Sequence, residues 1–352
     1  MTSRMAVAAA LAALVWHSSA SAQWTLQRSG TDAEFRGLAA VSPMVVWASG
    51  TQGRVARTTD GGATWRFDLV PGADSIDLRD IDARSPAAAV AMSAGEAERG
   101  QAKMFRTTDG RTWKKVYETT QKGVFLDALS FWDDRHGIAM GDPIDGRLFI
   151  LVTDDGGATW TRVPMENAPP MTRAEAAFAA SGTCLAIQGT SNVWIGTGGG
   201  ASARVFRSTD RGRTWAVAET PLHAGNPASG IFSIAFTDAL HGVVVGGEYT
   251  SPRAPFDNVA LTSDGGKTWR PASGELPRGY MSSVAYIPGT HGRSLVAVGL
   301  AGTATSLDGG ESWSMVDTLG LNSVAFAAQN AGWAVGPRGR IARWTPAKPD
   351  HR

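Results

Sequence analysis

The side chains in this chain that are suited to chemistry are acids, arginines and aromatics set in short charged breaks between apolar runs. Four carboxylates stand out: Asp127 in "FLDA", Asp142 in "GDPIDG", Glu175 in "TRAEAA" and Glu248 in "GGEYTS". Two carboxylates flanking a glycosidic bond suffice for the usual hydrolytic mechanism, so any facing pair among these four would be a candidate for glycoside hydrolysis. Arg36 in "FRGL", Arg79 with Asp80 in "LRDI", and Arg173 close to Glu175 are the cations at comparable places, suited to gripping a carboxylate. Trp194 and Tyr249 fall in what read as long loops and are the candidate stacking platforms. With 32 acidic residues in the chain a pair is easily found, and charges that only solvate a rim are the competing explanation.

Other chemistries have weaker signals. The six histidines are scattered, with no His-x-x-x-His or Cys-x-x-Cys spacing, so no metal is predicted. "GTGGGAS" from Gly196 lacks the Lys-Ser/Thr that completes a phosphate loop, and no cofactor is predicted. "DPIDG" from Asp142 falls short of a calcium loop and reads as a turn. Cys184, the one cysteine, lies in "CLAIQG" and reads as a small buried hydrophobe, so the chain folds without an internal disulfide.

The first residues read "MTSRMAVAAALAALVWHSSASAQW": Arg4, an apolar stretch over residues 5–16, then the small-x-small pattern of Ala20, Ser21 and Ala22. Residues 1–22 are predicted to be a secretory signal peptide, with an uncleaved tether as the alternative. The mature protein is expected in a bacterial periplasm or outside the cell. No later stretch approaches the roughly 20 apolar residues of a spanning helix. Lys and Arg total 33 against 32 Asp and Glu, so no broad cationic face for nucleic acid is expected.

What must position these side chains is a repeat. "RTTDGGATW" from Arg57 returns as "RTTDGRTW" from Arg106, "VTDDGGATW" from Val152, "RSTDRGRTW" from Arg207, "LTSDGGKTW" from Leu261 and "TSLDGGESW" from Thr305. The aspartates Asp60, Asp109, Asp155, Asp210, Asp264 and Asp308 recur every 44 to 55 residues, the period of a propeller or a solenoid. Strand-like runs such as "GRVART" and "TWRFDL" flank each phrase, so the phrase is a hairpin turn. Its aspartate accepts downstream backbone N–H groups, its glycine takes positive φ, and its tryptophan anchors the next strand. The second copy has one residue fewer between Asp109 and Trp113, which predicts a tighter turn and a local distortion.

The pattern Ser/Thr-x-Asp-x-Gly-x-Thr-Trp resembles the Asp-box, or bacterial neuraminidase repeat, of sialidases, some glucanases and the photosystem II assembly and stability factor family. The resemblance implies an all-β propeller with each box between the third and fourth strands of a four-stranded blade. After the sixth box come "LNSVAFA", "AGWAVG" and "RIARW", three strands without a fourth, while "QWTLQRS" near the start looks like a post-box strand. One seven-bladed β-propeller over residues 23–346 is therefore expected, closed by the N-terminal strand in the last blade, with 347–352 a disordered tail. Six blades with an unpaired remnant is the alternative. Closure removes the exposed edges of an open array, and a monomer is expected.

First strands line a propeller's channel, so Arg36, Arg79, Asp80, Asp127, Arg173 and Glu175 are predicted at its mouth, on the rim opposite the boxes. That rim also carries the long loops "SAGEAERGQAK", "MGDPIDGR", "QGTSNVWIGTGGGASAR" and "GGEYTSPRAPFDN". Units such as "AGWAVGPRGRIARW" look most like the assembly-factor family. That resemblance implies a non-catalytic scaffold that binds a protein partner, or here an extracytoplasmic polymer or glycan. The sialidase resemblance is incomplete: Arg36 and Arg79 are candidates for two of that family's three arginines, and Tyr249 beside Glu248 for its nucleophilic pair, but no Arg-Ile-Pro segment is present. A sialidase- or glucanase-like hydrolase acting through channel-mouth carboxylates is the alternative function.

Overall fold

The computed structural model describes residues 24–345; the predicted signal peptide and C-terminal tail lie outside them. Seven four-stranded antiparallel sheets follow one another around a ring, and six of them are simple meanders. The innermost strands of blades one to seven are Phe35–Ala40, Asp77–Ala83, Leu126–Phe131, Leu185–Gln188, Ser229–Phe236, Ser283–Tyr286 and Ser323–Ala328. In the seventh sheet Trp24–Gln27 is outermost and pairs antiparallel with Ile341–Trp344. Among the described residues there is no α-helix, and no helix is long and apolar enough to cross a membrane.

Second strands such as Val46–Gly50, Ala89–Ala94 and Leu295–Gly299 are buried throughout because a neighbouring blade covers each face. They read as continuous apolar runs, whereas outermost strands such as Arg66–Leu69 are largely exposed. Each junction between adjacent blades holds its own apolar cluster, from Trp47, Leu78 and Phe105 between blades one and two to Phe35, Val46 and Trp333 between seven and one. The core is thus a circle of seven wedges.

The six aspartate turns connect third to fourth strands. In five of them the aspartate accepts the N–H of the residue four positions on, at 2.9–3.0 Å, as Asp60 does from Thr64 and Asp155 from Thr159. Hydrogen bonds from Thr64 and Thr58 hold Asp60 down at about 2. In blade two Asp109 accepts from Arg111 and Thr112 instead, and the strands it joins slip register between Met104 and Phe105.

Two segments depart from the sequence reading. "MGDPIDGR" is not a loop: Gly137–Ile144 and Arg147–Thr153 continue through it and meet at a two-residue turn, Asp145 and Gly146, both at positive φ. In blade four the run "AEAAFAA" is not the first strand. Leu185–Gln188 is first and Asn192–Gly196 second, so the "VWIG" placed in a loop is a buried strand.

Candidate functional site

Residues 177–183, displaced from the sheet of blade four, cross the channel and close it. Ala177 donates its N–H to Asp142 Oδ1 at 3.1 Å in blade three. The carbonyls of Ala179 and Ala180 accept from Arg79 at 3.4 Å and Arg36 at 2.9 Å, in blades two and one. Ser181 Oγ donates to the Ser282 carbonyl at 2.8 Å in blade six, and Thr183 Oγ1 to Ser233 Oγ at 2.7 Å in blade five. An irregular segment buried in a channel must find partners for its polar groups, and five other blades supply them.

This plug divides the channel. On the rim away from the aspartate turns it forms the floor of a cup of ≈410 Å³, within the range of small-ligand sites. The cup is lined by Arg36, Arg79, Asp127, Asp142, Phe178, Phe232, Tyr249, Tyr280 and Leu300, among others. Four of these share an origin. In blades one, two, three and five the innermost strand slips register against the second, and the residue skipped is Arg36, Arg79, Asp127 or Phe232. A bulge re-aims the side chain of its unpaired residue, and here all four line the cup.

The aromatic side of the cup is a packed group. Phe178 of the plug stacks on Phe232, centroids 3.9 Å apart, and Tyr249 and Tyr280 meet Phe232 edge-on at 6.1 and 4.6 Å. Tyr249 remains 49% exposed and Leu300 40%, so the rim of the cup is apolar and open. Arg36 is paired with Glu34 at 2.6 Å and Arg79 with Asp77 at 3.7 Å, each arginine side chain keeping part of its surface in solvent. Burial and the neighbouring charge of Arg36 pull the Arg79 pKa down.

Asp127 and Asp142 stand together. Burial, then the charge of Asp142, raises the Asp127 carboxyl well above its ordinary range against the pull of Arg79, and its Oδ2 has no hydrogen-bond partner. Burial raises Asp142 to about 6, opposed by the Ala177 N–H.

The other predicted residues are elsewhere. Asp80 is buried below the plug, where it lines a second channel cavity of ≈280 Å³ and accepts from the N–H groups of Ile81 and Leu129. Burial lifts it to about 8. Glu175 is buried rather than at the mouth, bonded to Arg204, Thr197 and Thr172. Burial pushes its carboxyl up, but those hydrogen bonds outweigh it and hold it below the usual value. Arg173 is exposed and outside the cup lining. Glu248 is bonded to Thr250, Asn226 and Ser251 and also lies outside the lining, although its neighbour Tyr249 is within it. Trp194 is no platform: it is 2% exposed, stacked on Phe236 at 3.6 Å, and donates Nε1–H to the Gly265 carbonyl.

Phe178, Phe232 and Tyr280 escaped the sequence reading. Phe232 has a signal, since "IFS" in blade five occupies the place of "FRG" and "LRD" in blades one and two. Phe178 has none, because it sits on a segment mistaken for a strand.

Comparison with solved structures follows this geometry. YCF48 bound to a D1 peptide superposes with a TM-score of 0.64 at 17% identity, over 92% of this chain and 97% of that one. YCF48 from Cyanidioschyzon merolae gives 0.66 at 17%, over 92% and 99%. The chain is a seven-bladed β-propeller. A GH74 xyloglucanase from Xanthomonas campestris gives 0.60 at 19% identity, over 91% of this propeller but 53% of that enzyme. No protein-family model matches the propeller's sequence, and no curated protein does. At these identities the likeness concerns the fold alone.

Proposed function

We propose that this propeller is an exported, non-catalytic binding scaffold whose cup takes a segment of a protein partner. The observation that carries the reading is the plug: the channel is closed by the chain's own residues 177–183, leaving a cup with exposed Tyr249 and Leu300 beside Arg36 and Arg79. Aromatic and arginine side chains at a pocket centre are the usual anchors of protein recognition. A partner segment with an apolar side chain next to an acidic one fits both halves. The YCF48 propeller holding a D1 peptide supports peptide binding on this fold. The aspartate turns are read as Asp-boxes, and export rests on the leading segment, which fractionation of expressing cells tests. A displayed peptide library tests the cup: enriched peptides should combine acidic and apolar residues, and Arg79→Ala with Tyr249→Ala should abolish capture. Capture that survives both changes sinks the assignment of the cup.

The Asp127–Asp142 pair favours one second reading, glycoside hydrolysis. A carboxyl kept protonated beside an ionisable partner is what a general acid requires. Turnover on a panel of chromogenic glycosides that disappears in Asp142→Asn would replace the scaffold reading with this one.

A further inference from the structure

The plug brings no charge of its own to the channel. Residues 177–183 read "AFAASGT", so every ionisable group that holds them belongs to another part of the chain. The two halves of the plug are held differently. Residues 181–183 are fixed by hydroxyls, Ser181 to Ser282 and Thr183 to Ser233, and Gly182 fits against Asp80 with no room for a Cβ. Residues 177–180 rest instead on Asp142, Arg79 and Arg36. Just before them, Ala176 is tied to Gly198 by two backbone bonds of 2.9 and 3.0 Å. They form a short flap between two anchored ends, docked by charged side chains and by the stacking of Phe178 on Phe232.

Two carboxyls make the acidic side of that dock. Leu126 pairs with Gly141, the residue before Asp142, and the register slip that follows Leu126 skips Asp127. The bulge thus brings Asp127 and Asp142 together, and both line the cup. Asp127 is 1% exposed, and its Oδ2 has no hydrogen-bond partner among the described residues. An unpaired carboxylate oxygen beside a second carboxyl is satisfied by a proton held between the two. Arg79 faces Asp127 from blade two, but it pairs with Asp77 and donates to the Ala179 carbonyl. Arg36 of blade one is likewise engaged, by Glu34 and the Ala180 carbonyl. From blade four the buried Cys184 faces Asp127, its thiol pushed up by burial and then by that carboxyl. The phenols of Tyr249 and Tyr280 are the other titratable groups in the cup lining. The plug itself presents two N–H groups, Ala177 to Asp142 and Ala179 to Asp127.

We propose that Asp127 and Asp142 hold a proton between them and act as a latch: while it stays the flap is docked, and its loss sets two negative charges side by side and releases residues 177–180. Opening removes the floor of the cup and joins it to the cavity that Asp80 lines. The inference concerns the plug alone and holds whatever the cup takes. Burial raises both carboxyls in the docked state, Asp142 to about 6, so docking favours their protonated forms. That contribution is complete below the ordinary 3.8 and is lost as pH rises through the docked values. The flap should therefore open more often toward neutral pH. Hydrogen exchange on the full chain, corrected for the intrinsic pH dependence of exchange, tests this. In wild type the protection of residues 177–180 should fall at least about tenfold between pH 4 and 6. The second strand of the same blade, Gly137–Ile144, should lose less than about threefold over that interval. The fall should shrink in Asp127→Asn and in Asp142→Asn and vanish in the double variant. The wild-type comparison decides the matter even where a substitution harms folding. Flat protection in residues 177–180, an equal fall in Gly137–Ile144, or a fall that persists undiminished in the folded variants overturns the proposal.

Discussion

The carboxylate of Asp80 accepts the N–H of Leu129 at 2.7 Å across the junction between blades two and three. Ser233 takes the N–H of Val284 and Ser283 that of Val324 in the corresponding bonds between blades five and six and between six and seven. One junction therefore uses a buried acid where two use a hydroxyl, and the plug is fitted to that acid. A Cβ on Gly182 would lie 2.1 Å from Asp80 Oδ1, and φ there is +74°. Gly182→Ala should cost about 2–4 kcal/mol. Gly189→Ala, at φ +63° with open space around it, should cost about 1 kcal/mol. Denaturant midpoints compare the two, and equal losses would mean that the plug does not rest on Asp80.

The buried acids make stability fall as pH rises. Folding raises Asp142 from 3.8 to about 6 and Asp80 to about 8, so their protonated forms are favoured in the native state. That contribution is complete below the unfolded value and is lost as pH climbs through the folded one. For Asp142 the loss is on the order of 3 kcal/mol between pH 4 and 7. Tm followed over that interval should decline in wild type and decline less in Asp142→Asn. A wild-type Tm that rises up to pH 8 would show that these carboxyls ionise without strain.

Much of the ring was legible because the aspartate phrase marks each third-to-fourth turn and the buried second strands are continuous apolar runs. Three of the four bulged residues were placed near the mouth for a simpler reason, their position at the start of a first strand; Arg36, Arg79 and Asp127 line the cup because the register slips there. Blade four was misread because "AEAAFAA" is apolar and extended, as a strand is, yet its backbone is bonded by arginines and a carboxylate of other blades. Periodicity reports which side chains are buried, not which partner takes the backbone. Counting from that false first strand moved Trp194 from a strand into a loop.

Glu175 and Arg204 form a buried pair at the foot of the plug, with Thr197 donating to the same carboxylate at 2.6 Å. Removing one charge leaves the other uncompensated, so Glu175→Gln should destabilise by about 3–5 kcal/mol. Glu175→Gln combined with Arg204→Met should recover a large part of that loss, because the desolvated cation is gone as well. A double variant as unstable as the sum of its singles would show that the two residues act separately.

Trp24 ties the ends of the ring together. Its Nε1–H donates to Thr303 Oγ1 of blade six at 2.9 Å, and its ring meets that of Trp344 edge-on at 4.9 Å, so one side chain spans a blade junction and a strand pairing. Trp24→Ala should cost about 3–5 kcal/mol. Leu26→Ala, on the same strand but 60% exposed, should stay within about 0.5 kcal/mol. Because the strand completes a circle, the effect should also spread: hydrogen exchange in Ile341–Trp344 and in Gly302–Ser306 of blade six should quicken together in Trp24→Ala. Faster exchange confined to the first strand would mean that its pairing adds an edge without holding the ring shut.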